Sequence, residues 1–313
     1  MKTLYLAIGY ACNLRCVFCP CSEGAGKMPS FTFDEIRKGI DLAIENRHIE
    51  NILLSGGEPT IHPDFFRIVE YIRSKGLMLS TLTNAQKLAD NDFCEKLLQT
   101  ADCSKLDVTV AFLSHDAAKH DRLTQVPGSF DRSLAGVRQL IAHGVRTTIK
   151  NNIVNYTYRD LPDFIRWVNQ TFPPEATLLL VNIDVNGVAL GNKNLVGVEF
   201  SESMPYLMAA LDQVIADRRI GIKRNVKVLT TPMCLIDPYY WGFIENKTRD
   251  TIDAYKVPST EISNNPLQFD VGSDSGPMFK ACQGCDLRSI CPGAWRSFKE
   301  VYDESILTRI CAE

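Results

Sequence analysis

The chain of 313 residues contains no stretch approaching the roughly 18 consecutive apolar residues that a membrane-spanning helix needs. A membrane partner is therefore not expected. It also lacks a basic stripe: 34 Lys and Arg are interspersed with 37 Asp and Glu for a net charge of −3, which argues against DNA as a partner and leaves a tRNA substrate unsupported. No repeat of solenoid period and no low-complexity tract is visible. The apolar run that opens the chain, Leu4 to Ile8, is not followed by a small-residue cleavage site, so it reads as a first strand and not as a signal peptide. With 45% hydrophobic and 23% charged residues, the composition is that of a globular protein, long enough for one large domain of about 200 residues and a smaller one.

Cysteine is the residue in excess. There are eleven, an odd number, grouped tightly as CxxxCxxC and CxxC, which points to metal ligation in a reducing compartment and not to a disulfide framework. The expected location is the cytoplasm. The first group, Cys12, Cys16 and Cys19, follows the apolar run at 2–8 directly. Three thiolates on one loop can hold three irons of a four-iron cluster and leave the fourth open to a small molecule, since such clusters are normally held by four cysteines. The triplet alone also fits a zinc site or buried thiols.

CxxxCxxC with Phe18 just before the third cysteine resembles the signature of the radical S-adenosylmethionine (radical SAM) superfamily, and Gly56-Gly57-Glu58-Pro59 after the apolar run Ile52-Leu53-Leu54 resembles that family's GGEP motif. In the family, the open iron chelates the amino and carboxylate groups of SAM. One electron then cleaves SAM to methionine and a 5'-deoxyadenosyl radical, which takes a hydrogen atom from substrate. The resemblance implies Cys12, Cys16 and Cys19 as cluster ligands and Phe18, Gly56, Gly57, Glu58 and Asn84 as SAM-binding residues. Asn84 lies in Thr83-Asn84-Ala85, where the family often has Thr-Asn-Gly, so Ala85 departs from the pattern.

Periodicity predicts helices over 33–47, 64–75, 131–143 and 161–170, and strands over 2–8, 51–54, 77–82, 106–113, 145–154 and 177–183. Six strand-then-helix units imply a parallel sheet with right-handed crossovers. With the motifs placed after strands one and two, the order resembles an α/β partial (β/α)6 TIM-like barrel over residues 1–218. Ligands bind at the C-terminal ends of such strands, where Ser114, Asn151, Asn152, Asn155, Asn182 and Asp184 fall. Ser114 and Asn152 are the ribose or carboxylate candidates, although an amide at Asn152 would equally close a turn. His120 reads as a surface loop residue, and the glycine-rich stretch 24–29 as a flexible lid or a substrate-adjacent loop. Cys94 and Cys103 match no ligand spacing and read as buried small hydrophobes.

Composition changes after Arg219. A β segment at 225–230 is followed by Cys234, then a Ser-, Asn-, Pro- and Gly-rich stretch, then Cys282-Gln283-Gly284-Cys285, Cys291 and Cys311. CxxCx5C preceded by a distant cysteine resembles the C-terminal auxiliary-cluster modules called SPASM or twitch domains. The position four residues after Cys291, a cysteine in the fuller SPASM pattern, is Trp295. One auxiliary 4Fe-4S cluster on Cys234, Cys282, Cys285 and Cys291 is therefore expected in a smaller domain at 219–313, with Cys311 in reserve. Four cysteines including a CxxC pair also describe a zinc ribbon. Family members with this module modify ribosomally made peptides or oxidise a residue of a partner protein, and others dehydrogenate small alcohols. A peptide or protein substrate is the leading expectation, with a flavodoxin- or ferredoxin-type reductase as electron donor. A small-molecule dehydrogenase or carbon-skeleton enzyme is the second reading, and a non-catalytic zinc or iron scaffold the third. No N-terminal leader-recognition domain is expected, because the first strand starts at residue 3. Should the reaction be an epimerisation, Cys21 and Cys311 are the candidate thiol hydrogen donors.

Overall fold

The computed structural model describes residues 2–19, 21, 30–245, 279–295 and 298–310. The stretch 24–29, read as a lid, and Cys311 lie outside the described residues. Seven strands form one sheet in the order β1-β2-β3-β4-β5-β6-β7: β1 Thr3–Ala7, β2 Asn51–Ser55, β3 Met78–Thr83, β4 Leu106–Ala111, β5 Arg146–Ile153, β6 Thr177–Asn182 and β7 Val226–Leu229. Every neighbouring pair is parallel. The sheet curls as a partial barrel and does not close, β1 and β7 being its two edges. The segment at 225–230 is thus a seventh strand of the same sheet, paired with β6 from Leu178↔Val226 to Val181↔Leu229.

Helices α1 Phe33–Arg47, α2 Phe65–Ser74, α3 Asn91–Thr100, α4 Ala117–Thr124, α5 Ser129–Ala142, α6 Leu161–Thr171, α7 Val188–Gly191, α8 Lys193–Val196, α9 Phe200–Arg219 and α10 Phe298–Val301 complete the described regular structure. The start of α1 is fixed by a capping box: Glu35 N–H donates to Thr32 Oγ1 and Thr32 N–H donates to Glu35 Oε2, satisfying donors at each end of the first turn. Apolar residues at helical spacing, such as Phe65, Ile68, Val69 and Ile72 on α2, meet the outer face of the sheet in one continuous core.

Strand alternation divides the two faces of the sheet. On β5, Ile149 and Ile153 belong to the outer core, so Lys150 and Asn152 project to the lumen side. The helix α3 was not anticipated: among its residues only Phe93, Cys94, Leu97 and Leu98 are apolar, too few to stand out from the polar background. Cys94 is fully buried in the core, as expected, whereas Cys103 is half-buried, its thiol 3.6 Å from Leu98 O.

Between β6 and β7 the chain is pinned by Arg224. Its guanidinium, 3% exposed as a residue, donates to Asn169 Oδ1 and to the carbonyls of Val168, Phe172, Pro173 and Ala176. Two of these carbonyls, those of Val168 and Phe172, stand at the C-terminal end of α6, where a cation is favoured; Val168 O also accepts Phe172 N–H at 3.0 Å. Burial still holds the guanidinium down to about 10. Replacing it with an apolar side chain leaves buried acceptors unsatisfied, at about 1–3 kcal/mol each for those that water cannot reach. Arg224→Met should therefore lower the unfolding free energy by about 3 kcal/mol or more in urea titrations; a loss below about 1 kcal/mol would contradict the pinning role.

Candidate functional site

The cysteine loop leaves β1 and runs over the end of α4. Arg15 N–H donates to Thr124 O and Val17 N–H to Leu123 O, each at 3.0 Å, so the loop satisfies carbonyls that the final helical turn cannot. Val17 and Phe18 pack into a second apolar cluster with Leu113, Leu123 and Val185, and Val17 O accepts from Asn192 Nδ2 at 2.9 Å. Phe18 is thus held partly by protein at the mouth of the barrel.

Cys12, Cys16 and Cys19 are half-buried and act on one another pairwise. Burial pushes the Cys12 thiol up to about 11, and the nearby Glu58 and Cys19 add to it. Burial raises Cys16 further, again aided by Cys19 and Cys12. Thiolates gathered in so poorly hydrated a place are costly unless a shared cation compensates them, which is the donor chemistry of a metal centre. Cys21 is buried and hydrogen-bonded to Cys19, an arrangement that raises it strongly and ties it to the same loop.

The glycine turn has a specific steric reason. A Cβ on Gly56 would stand 2.1 Å from Gly9 O, and one on Gly57 would stand 2.1 Å from Ala11 O and 2.6 Å from Tyr10 O. Gly57 N–H donates to Gly9 O and Glu58 N–H to Ala11 O, both at 2.8 Å. The chain that leads into Cys12 therefore lies directly on the turn. The glycines were expected to admit a ligand; the backbone that demands their missing Cβ atoms is that of residues 9–11 of the same chain.

Glu58 is 4% exposed, and its carboxylate accepts four hydrogen bonds: from Thr60 N–H at 3.1 Å, Thr60 Oγ1 and Thr83 Oγ1 at 2.6 Å, and Asn84 N–H at 2.7 Å. Burial pushes this carboxyl up, and the four donors pull against it. Asn84 in turn donates through Nδ2 to Asn13 Oδ1 at 2.6 Å and accepts at Oδ1 from Gln86 N–H at 3.1 Å. Ala85 adopts φ +60°, the left-handed region that glycine tolerates best, which accounts for glycine being frequent there in the family resembled. A Cβ on Gly136 of α5 would stand 2.2 Å from Ala85 O, so this helix also presses onto the turn.

Ser114 is buried at the end of β4, its Oγ accepting from Asp116 N–H at 3.1 Å. Asn152 lies on the lumen side of β5 without a hydrogen-bond partner among the described residues, while Asn151 faces outward and donates to Phe112 O. Sequence reasoning passed over Lys150, one strand position from each Asn151 neighbour and on the same side as Asn152. Arg146 pairs with Asp107 and Lys227 with Glu245, both pairs partly exposed, whereas Lys150 forms no ion pair among the described residues. Burial lowers its ammonium, and the nearby Cys19 pulls the other way. His120 is corrected from a surface residue to a core one: it is 1% exposed, on the face of α4 shared with Leu123 and Thr124, between Phe112 and Phe130. Its Nδ1 accepts Leu113 N–H at 3.3 Å, bracing the strand end that carries Ser114.

The C-terminal cysteines surround a separate cavity of about 90 Å³, lined by Cys234, Cys282, Cys285 and Cys291 together with Phe279 and Arg288. One water needs about 10–15 Å³ on the same measure, so the space suits a group of several atoms. Among the described residues no three His, Cys, Asp or Glu side chains close on one point tightly enough to hold a single ion. Trp295, which follows the lining residue Ala294, ties this segment to the end of β6 by donating its Nε1–H to Asn182 O at 2.6 Å.

Two outcomes follow from this geometry. Gly57→Ala should displace residues 9–11 and lower the iron retained after anaerobic reconstitution by more than half, before any ligand is added; full iron content would show that the turn does not shape the cysteine loop. For His120, burial lowers the imidazole from its ordinary 6.5 to about 4, so the folded state favours the neutral ring. The stability this contributes is present above pH 6.5 and is lost as pH falls through about 4, to a total of about 3 kcal/mol. His120→Gln should flatten that part of the pH dependence in denaturant titrations between pH 7 and 4.5.

A family model described as the Radical SAM superfamily matches residues 6–168. The AdoMet-dependent heme synthase of Methanosarcina barkeri is 36% identical over 131 residues, which cover 41% of this chain and 36% of that protein. The mycofactocin maturase MftC of Mycobacterium tuberculosis is 28% identical over 135 residues, covering 43% of this chain and 33% of that protein. The chain thus spans about a third of the length of these curated relatives in the matched stretches. Among solved structures, anSMEcpe with bound AdoMet and Cp18Cys peptide has the same fold at a TM-score of 0.66 and 15% identity, over 98% of this chain and 93% of that one. Three cysteines at the end of β1, the glycine turn that seats them and a family match over more than half of the residues lead to one conclusion: the chain belongs to the radical SAM superfamily.

Proposed function

We propose that this radical SAM enzyme acts on a peptide or protein segment, crosslinking, epimerising or oxidising it, with one cluster on Cys12, Cys16 and Cys19 and an auxiliary one on Cys234, Cys282, Cys285 and Cys291. The observation that carries the reading is the four-cysteine cavity docked at the barrel mouth by Trp295. Its support is that the likeness to anSMEcpe, a protein crystallised with a peptide, runs through the C-terminal segment as well as the barrel. MftC, similar over the first part of the chain, is named a maturase. When bound, the first cluster and SAM supply a one-electron cleavage that yields a hydrogen-abstracting 5'-deoxyadenosyl radical.

The residues of this chain bind and orient. The unpaired ammonium of Lys150 would take the carboxylate of SAM, and Asn152 and Ser114, at neighbouring strand ends, its ribose hydroxyls. Phe18, packed on Val17's apolar cluster, offers a ring face at the mouth. Glu58 is already saturated by internal donors, so it would act on SAM through the turn it shapes. The electron would come from a flavodoxin- or ferredoxin-type reductase. A small-molecule substrate is the second reading, favoured by the heme synthase likeness. In the C-terminal cavity the four cysteines line a space of about 90 Å³, which has room for a group of several atoms such as a cluster.

Anaerobic reconstitution should give about eight irons per chain, two four-iron clusters, and 5'-deoxyadenosine on adding SAM and dithionite. Cys16→Ala should abolish that product, and Cys234→Ala should remove about half of the iron. Cleavage surviving Cys16→Ala would overturn the first assignment, and one zinc per chain in place of four irons the second. If the substrate is a peptide, cell extract should stimulate 5'-deoxyadenosine formation and lose that effect on protease treatment; stimulation that resists protease would favour the small molecule.

A further inference from the structure

The wall of the C-terminal cavity includes Leu307, Thr308 and Ile310, and Asp286 N–H donates to Ile310 O at 3.1 Å, so the stretch after α10 closes over the same four cysteines. From that stretch a run of contacts leads back to the first cysteine loop. Tyr302, which follows α10 directly, accepts Val198 N–H on its hydroxyl at 3.2 Å, and the carbonyl of Val301 accepts from Lys193 Nζ at 3.0 Å. Main-chain bonds from Asn155 and Tyr156 to the carbonyls of Val196 and Leu195, at 3.1 and 3.0 Å, hold the middle of the piece. At its start Asn192 donates through Nδ2 to Val188 O at 3.1 Å and to Val17 O at 2.9 Å, its two amide hydrogens sufficing for both. Val17 stands between Cys16 and Cys19. Val17, Val196 and Val301 also share one apolar cluster, so packing runs along the same line as the hydrogen bonds.

A group bound by side chains that only the folded chain brings together stabilises the segments that carry them. Here those segments continue into residues 301–310, whose contacts with Lys193 and Val198 bear on where Asn192 stands, and Asn192 holds a carbonyl inside the first cysteine loop. We propose that a metal group held by Cys234, Cys282, Cys285 and Cys291 steadies the loop of Cys12, Cys16 and Cys19 through this link, with Asn192, Lys193 and Tyr302 as its positioning residues, so that filling the second site slows the loss of metal from the first. The inference rests on the two ligand sets proposed above, and goes beyond them by making retention at one depend on the other.

The test is a chelator challenge of the reconstituted full-length protein without oxygen. Excess bathophenanthroline disulfonate is added, and the first cluster is followed as the part of the reduced EPR signal that changes when SAM is supplied. Cys234→Ala should lose that signal about tenfold faster than the wild type, within the usual range for coupled sites. Lys193→Met/Tyr302→Phe alters neither cysteine group, yet should speed the loss to a similar extent while Cys234 is present. Added to Cys234→Ala, the pair should change the rate by less than about twofold, since the link then has nothing to transmit. Independent effects would multiply to about a hundredfold in the combined variant, and that result overturns the inference, as does a wild-type rate in either Cys234→Ala or Lys193→Met/Tyr302→Phe. Should the paired variant fail to fold by far-ultraviolet circular dichroism, Asn192→Leu takes its place in the same cycle. A parent signal that never responds to SAM would overturn the assignment of Cys12, Cys16 and Cys19, and Cys234→Ala with the parent's full iron and zinc would overturn that of the C-terminal set; either result removes the inference with it.

Discussion

The carboxylate of Glu58 is the constraint on which the site depends. A buried anion without partners costs several kcal/mol even after relaxation, and this one is offset by four donors drawn from two places, Thr60 just after the glycine turn and Thr83 and Asn84 at the end of β3. Hydrogen bonds to a charged group contribute about 1.5–3 kcal/mol each, so the ends of β2 and β3 are locked at one spacing. That spacing decides where the glycine turn stands, and the turn decides where residues 9–11 can lie, because their carbonyls occupy the space of the missing Cβ atoms. The first cysteine follows without a free residue between. Position is thus passed from a carboxylate to a sulfur through backbone contacts that leave little slack.

The outer and inner faces of the sheet are set by different physics. Outside, aliphatic residues at strand and helix periodicities fill a continuous core, and any residue of similar volume would serve at most positions. On the other face polar side chains alternate with them, and where charges meet they are paired and partly exposed: Asp107 with Arg146 across β4 and β5, Lys227 with Glu245 at β7. Lys150 breaks that bookkeeping. It forms no ion pair among the described residues and burial lowers its pKa, so its charged form would gain from any anion brought beside it.

What was legible in the sequence follows the same division. Strands and helices with regular apolar spacing were readable to within a few residues, from Thr3–Ala7 to Thr177–Asn182, because burial on the outer face enforces the pattern. The cysteine loop and the glycine turn were readable as motifs, but the reason for the glycines was not, since it depends on which backbone crosses above them. His120 sits in a charged run, Lys119 to Arg122, that conceals a buried helical face at 120, 123 and 124. Lys150 was hidden inside a strand whose two following asparagines drew attention as an interruption. The seventh strand was separated from the sheet because the 20-residue helix α9 and the Arg224 turn intervene between β6 and Val226. Its pairing is a long-range fact that local periodicity does not carry.

The two cysteine groups, 215 or more residues apart in sequence by the difference of Cys234 and Cys19, are joined mechanically. Asn192, between α7 and α8, donates to Val17 O inside the first cysteine loop, and the next residue, Lys193, donates through Nζ to the carbonyl of Val301, the last residue of α10. Tyr302 closes the same contact by accepting Val198 N–H at 3.2 Å. Residues 192–198 therefore form a short strut with one end on each cysteine-bearing segment. A strut held by polar bonds at Asn192, Lys193 and Val198 tolerates substitution of its apolar residues better than loss of Asn192, whose amide has no equivalent in an aliphatic side chain. Because Val17, Val185, Val196 and Val301 share one apolar cluster, shifting the C-terminal segment would expose the packing that holds Val17 and Phe18. The spacing between the two cysteine groups is in this way part of the same rigid construction that begins at Glu58.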